Sequence, residues 1–223
     1  MTQDVRAPLT EDSLVVAVEL LAAGDPDLRG IVDRFGPPPL WARPQGYTTL
    51  VKVILEQQVS LSSAQAAFDR LQVRLDPLTP AGFLQLTDAE LLAIGFSRQK
   101  ARYVRELSAA LVRGTLDLAT LDGMDDEAVE RELLAIPGVG PWTVTIYRLM
   151  ALRRPDAWPA SDIALAQSLA EVRGLASRPT AEEMTGLAEA WRPWRAVAAR
   201  ILWHGYLETR AERRVSAGRR NGR

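Results

Sequence analysis

Two features of this 223-residue chain could do chemistry. One is the carboxylate of Asp162; the other is the run Leu134-Ala-Ile-Pro-Gly-Val-Gly-Pro-Trp-Thr143, which ends 19 residues before it. A carboxylate can stabilise a developing positive charge, and it can orient or deprotonate an attacking water. Aspartate is also favoured by the dipole in the first turn of a helix, so its type alone leaves both roles open. Pro137-Gly-Val-Gly-Pro141 cannot continue a helix, because proline removes a donor and glycine readily takes a positive φ. A tight turn between two helices follows, with Gly138 and Gly140 leaving N–H groups uncovered at the second helix's N-terminus. Such a terminus suits an anion, a phosphate for instance, although an ordinary turn between helices has the same composition.

The other reactive residue types are scarce. There is no cysteine, one histidine (His204) and only two lysines, Lys52 and Lys100. Disulfides, thiolate zinc sites and iron–sulfur clusters are therefore excluded, as is any multi-histidine metal site. Any Ser-His-Asp triad has a single possible base.

Helices must position these groups, and their ends are marked. Thr10 opens a segment with Leu14, Val15, Val18 and Leu21 at helical spacing. Asp25-Pro26 is a cap followed by proline at the first helical position, and that helix stops at Gly36. Leu50, Val51, Ile54 and Leu55 form a buried helical stripe that ends in Glu56-Gln-Gln-Val-Ser60. Ser60 or Ser62 caps the next helix, and Thr79-Pro80 and Thr87-Asp-Ala-Glu90 are further starts, the latter a capping box. A helix runs from near Arg98 to Arg113, and Asp125 caps the one that enters the glycine turn. Ser161 can cap a helix from Asp162 to Val172, Pro179-Thr180 with Glu183 starts another, and Arg192-Pro193 opens the last. No strand alternation and no internal repeat interrupts the pattern, so the fold class is all-α.

Hydrophobic residues make up 47% of the chain and charged residues 25%, as in ordinary globular proteins. Its length allows one large domain or two closely packed lobes. No apolar run is long enough to span a membrane, and the polar N-terminus does not read as a signal peptide, so a bacterial cytoplasm is expected. The net charge of −1 hides an asymmetry. Six arginines and one glutamate fall in residues 210–223, which leaves −6 on the rest. A nucleic-acid partner would need a local site of backbone N–H groups and a few arginines, not a broad basic face. Residues 210–223 read as a disordered basic tail.

Four blocks, taken in order, give a resemblance. Ile54-Leu-Glu-Gln-Gln-Val-Ser60, Ile136-Pro-Gly-Val-Gly-Pro-Trp-Thr143, Trp158-Pro-Ala-Ser-Asp162 and Trp191-Arg-Pro-Trp-Arg195 resemble the helix–hairpin–helix DNA glycosylases, specifically the 3-methyladenine DNA glycosylase II branch. The similarity covers roughly residues 10 to 208. It implies a two-lobe helical unit within residues 1–209, with the hairpin at 134–143 and the lesion site in the cleft between the lobes. The N-terminal β-rich domain of some relatives is not expected. The implied activity is monofunctional excision of alkylated purines from double-stranded DNA by base flipping, in base excision repair, by a monomer associated with the nucleoid. The alternatives are a glycosylase for oxidised or deaminated bases, or a non-catalytic DNA-binding protein.

The resemblance also assigns roles. Asp162 matches the catalytic aspartate, while Ser161 stands where many relatives have a second acidic residue. Trp142 and Trp203 match base-pocket tryptophans, and Ile146 aligns with a pocket tyrosine. Gly138, Gly140 and Thr143 match the residues whose N–H groups meet the DNA backbone, and Gln58 matches the side chain that fills the gap left by a flipped nucleotide. Carbonyls of Leu134, Ile136 and Val139 match those that hold a monovalent cation, Na+ or K+, in relatives; no other cofactor is expected. Pro141-Trp142 occupies the position from which lyase relatives supply a lysine, so strand nicking is not expected. Trp158, Trp191 and Trp194 read as structural.

Overall fold

A computed structural model describes residues 7–221, with side chains described through Ser216. Among the described residues there are helices and turns but no strand. In chain order the helices are α1 (Glu11–Gly24), α2 (Pro26–Phe35), α3 (Tyr47–Glu56), α4 (Leu61–Arg74), α5 (Pro80–Leu84), α6 (Asp88–Ile94) and α7 (Arg98–Val112). They continue with α8 (Asp126–Leu134), α9 (Pro141–Met150), α10 (Ile163–Arg173), α11 (Ala181–Ala188) and α12 (Arg195–Asn221).

Local capping explains most of the boundaries. Thr10, Thr87 and Thr180 each make a reciprocal capping box, with Ser13, Glu90 and Glu183 respectively. Asp25 accepts from the N–H groups of Asp27 and Leu28 at the start of α2, with Pro26 at the first helical position. Ser60, not Ser62, caps α4.

The chain divides into two compact units. The first contains residues 1–41 and 153–223; the second is continuous, Ala42–Leu152. In the first unit, α12 packs against α1, α2 and α10. Trp158 and Trp191 are buried there edge to face, 5.4 Å between centroids, and their indole N–H groups donate to the Met184 carbonyl and to Asp25 Oδ2. These two are structural, as expected. Arg200 is fully buried and donates to the carbonyls of Leu40 and Ala196; burial lowers its pKa to about 10. The second unit is built on a core that includes Leu50, Ile54, Leu71, Phe83, Val104, Leu133 and Tyr147. Its two ends meet where the Arg43 N–H donates to the Met150 carbonyl.

Three boundaries differ from expectation. Asp162, not Ser161, is the N-cap of α10; both are good caps, and the side chain one position later reaches the Leu165 N–H. The last helix opens at Arg195 rather than at Arg192-Pro193, because Arg192 is extended (φ −62°, ψ 141°), the conformation favoured before proline. The segment read as a disordered tail continues α12 to Asn221. Arginine, alanine and glutamate there are good helix formers, and two ion pairs tie the helix back: Glu212 with Arg34 and Arg213 with Glu171. Gly222 and Arg223 lie outside the described residues.

Candidate active site and nucleic-acid interface

The first unit holds the candidate catalytic carboxylate. Asp162 is only partly exposed and caps α10, and its Oδ1 accepts from the Leu165 N–H at 2.8 Å. The same oxygen accepts from the indole Nε1–H of Trp203, on α12, at 3.1 Å. Two donors from two helices thus fix the carboxylate plane against rotation. Trp203 is 9% exposed, so most of the ring is packed and its N–H has a definite task. The sequence pointed to Trp203 as a pocket wall; its bond to the aspartate is a positioning contact that the sequence did not reveal. Its neighbour His204 faces other partners. Nε2 lies 3.1 Å from the Phe35 carbonyl, with the rings of Phe35 and Trp41 edge-on at 6.4 Å.

The second unit holds the hairpin between α8 and α9. Gly138 has φ +88°, and a Cβ there would fall 2.0 Å from Cγ of Tyr103, inside the ring. Only glycine fits, both for backbone conformation and for the close approach of that ring. Gly140 is the N-cap of α9 and Pro141 its first residue, with no side-chain cap on the following N–H groups. A Cβ at Gly140 would meet nothing within 4 Å. That leaves the backbone at the α9 N-terminus accessible to an anion. Residues 51–193 match the family described as HhH-GPD superfamily base excision DNA repair protein.

The chain belongs to this superfamily.

Among curated relatives, this HhH-GPD protein is 30% identical over 165 residues to the putative DNA-3-methyladenine glycosylase YfjP of Bacillus subtilis, an overlap of 70% of this chain and 58% of YfjP. It is 33% identical over 196 residues to a probable bifunctional transcriptional activator/DNA repair enzyme AlkA of Mycobacterium tuberculosis, covering 83% of this chain and 38% of that protein. The chain therefore spans less than two thirds of either relative. Its fold is shared with 3-methyladenine DNA glycosylase Mag1 of Schizosaccharomyces pombe, solved in complex with abasic DNA. That match has a TM-score of 0.78 at 24% identity, over 84% of this chain and 94% of Mag1.

The remaining expected site residues of this HhH-GPD protein fall in the second unit. Thr143 is 1% exposed, and its hydroxyl accepts from the side-chain amide of Gln57. Gln58 is exposed at φ +56°, in the turn between α3 and α4. Trp142 is partly exposed on the first turn of α9, whereas Ile146 is 2% exposed. Tyr147 is fully buried and accepts from the Gly46 N–H; burial raises its pKa. Both lysines are engaged in this unit. Lys52 lies 5.4 Å from the Phe68 ring centroid, and Lys100 donates to the Leu55 carbonyl at 2.6 Å, its pKa lowered by burial.

The carbonyls expected to hold a cation form a neutral donor set from Leu134, Ile136 and Val139. Ile136 already accepts from the Val139 N–H at 3.0 Å, which leaves one lone pair on that oxygen. Uncharged carbonyl oxygens suit a singly charged hard cation better than a doubly charged one, which usually draws carboxylates. The set fits the implied ion.

Proposed function

We propose that this HhH-GPD protein is a monofunctional DNA glycosylase that releases alkylated purines of the 3-methyladenine type from duplex DNA. The observation that carries the proposal is Asp162, a carboxylate held by the Leu165 N–H and the Trp203 indole within a family of base-excision proteins. Relatives named as 3-methyladenine glycosylases support the substrate class.

Cleavage of the N-glycosidic bond places positive charge on the sugar, and a fixed carboxylate stabilises that charge without reorganising. The same group can orient or deprotonate the water that attacks the anomeric carbon. An N3- or N7-alkylated purine is already cationic and leaves without strong acid help. The face of Trp142 would attract such a cation by about 0.5–2 kcal/mol. On the DNA side, the N–H groups at the start of α9 and around Gly138 would hold a backbone phosphate. A monovalent cation on the carbonyls of Leu134, Ile136 and Val139 would add positive charge there. Gln58, exposed in its turn, would fill the space the flipped nucleotide leaves.

Excision without strand cleavage is the proposed outcome, by a monomer in the bacterial cytoplasm. A lyase needs an amine nucleophile. Trp142 occupies the corresponding hairpin position, and Lys52 and Lys100 are both engaged in packing contacts. The test is a methylated duplex incubated with wild-type protein and with Asp162→Asn. Asparagine caps helices as well as aspartate does and can still accept from Trp203, so folding and DNA binding should persist. Base release should fall by at least about 100-fold, in line with losing one electrostatic contributor. Release at near wild-type rate would refute the mechanism, and direct nicking without alkali would refute the monofunctional assignment.

A further inference from the structure

Gln57 has no role in the chemistry above, yet its side chain makes two long-range hydrogen bonds within the second unit. Its Nε2 donates at 3.0 Å to the Gly138 carbonyl, at the apex of the hairpin, and at 2.9 Å to Thr143 Oγ1 in the first turn of α9. A carbonyl can only accept, so the amide nitrogen must face the hairpin and both its hydrogens are used. The next residue is Gln58, exposed and in the left-handed region, a conformation few non-glycine residues hold without support.

The support comes from three consecutive residues. The Leu55 carbonyl accepts from Lys100 Nζ at 2.6 Å. The Glu56 carboxylate takes both guanidinium arms of Arg43, at 2.8 and 2.9 Å, with Glu56 9% exposed. Gln57 is tied to the hairpin. The end of α3 is therefore anchored from three directions immediately before Gln58.

We propose that Gln57 is a positioning residue that makes the hairpin and the Gln58 turn a single mechanical element. Gripping the backbone phosphate then also sets where Gln58 enters the base stack. This deepens, and rests on, the glycosylase activity proposed above. The cost of extruding a base is a few kcal/mol when it is stacked and paired, and small when it is not. A residue that acts by placing the wedge should therefore matter only where that cost is high.

The test uses the full chain and two duplexes carrying the same alkylated purine, one with the lesion paired, the other with it opposite an abasic gap. Gln57→Leu removes both donors while keeping bulk, and Gln57→Glu sets an acceptor against the Gly138 carbonyl. Both variants should lose about tenfold in excision from the paired duplex and less than about twofold from the gapped one, a pattern set by flipping cost. In a Gln58→Ala background, Gln57→Leu should have little further effect on the paired duplex. Activity on the gapped duplex reports folding in the same sample, so equal losses on both duplexes mean a merely structural role and overturn the proposal. Undiminished excision by both variants overturns it too. A wild-type protein that releases no base from either duplex overturns the underlying activity, and the coupling with it.

Discussion

Replacing Gly138 with alanine tests the hairpin geometry most directly. The added Cβ would lie 2.0, 2.2 and 2.5 Å from three ring carbons of Tyr103, and no real contact is that short. The ring is no free end that can swing away, because Tyr103 is partly buried against the core and its hydroxyl accepts from Gln99 Nε2 at 2.6 Å. Two costs follow. Holding alanine at φ +88° costs about 1–2 kcal/mol. Displacing a packed ring adds about 1–3 kcal/mol. A total near 3 kcal/mol corresponds to a fall in Tm of about 6–12 °C for a chain of this size. Gly140→Ala is the matched control. Its Cβ meets nothing within 4 Å and its φ of −97° is ordinary, so the loss should stay under about 1 kcal/mol. Thermal melting followed by circular dichroism reads both. Adding Tyr103→Ala to Gly138→Ala should cost less than the sum of the single changes, because it removes the clash and leaves only the backbone term. A Gly138→Ala protein that melts within a degree of wild type, or a strictly additive double variant, would show that the ring does not abut the hairpin as described.

Two further outcomes follow from the charges. Glu90 has its pKa lowered to about 2, chiefly by the Thr87 backbone N–H and then by Arg74, and Glu183 is lowered by the Thr180 backbone N–H. Because the folded values are depressed, both caps contribute fully above the ordinary carboxylate value of 4.5 and are lost as pH falls below it, the Glu90 cap as pH approaches about 2. Protection of the Thr87 and Thr180 amides, relative to the intrinsic exchange rate at each pH, should fall as pH drops below 4.5, and protection unchanged down to pH 2 would contradict the capping boxes. Separately, Arg43→Ala strands the buried Glu56 carboxylate and should cost about 3–5 kcal/mol in urea unfolding, most of it recovered by adding Glu56→Leu. A loss below about 1 kcal/mol, the range of an exposed pair, would place that contact among the weak ones.

The helices were legible because their signals are local. A threonine or aspartate three residues before the N–H it caps needs no tertiary information, and Thr10, Asp25, Thr87, Asp125 and Thr180 all cap where the sequence put them. The misplacements have equally physical causes. Ser161 and Asp162 are adjacent, equivalent caps, and only the fold chooses between them. The helical course of residues 210–221 draws on Glu212 and Arg213 meeting partners far back in the chain, which composition cannot report. At the site, the glycine turn and Asp162 are visible in the sequence because each is a residue type in a defined frame. The contacts that hold them are not. Gln57 and Gly138 are 81 residues apart, and Asp162 and Trp203 are 41 apart. The resemblance singled out Gln58 and gave no role to Gln57, although Gln57 is the one tied into the hairpin and Gln58 is exposed.

The discontinuity of the first unit has a kinetic consequence. Several of its defining contacts span most of the chain: Asp25 with Arg173 and Trp191, Leu40 with Arg200, and Arg34 with Glu212. Closing loops of that length directly would be slow and entropically costly. The second unit is continuous and can fold as soon as residue 152 has been made, and its Arg43–Met150 hydrogen bond then brings the two ends of the intervening chain together. For each of those contacts, the effective loop shortens by the whole stretch between Arg43 and Met150. The order of synthesis therefore favours completing the hairpin first, and the Asp162 carboxylate gains its second donor only once α12 has emerged and Trp203 can reach it.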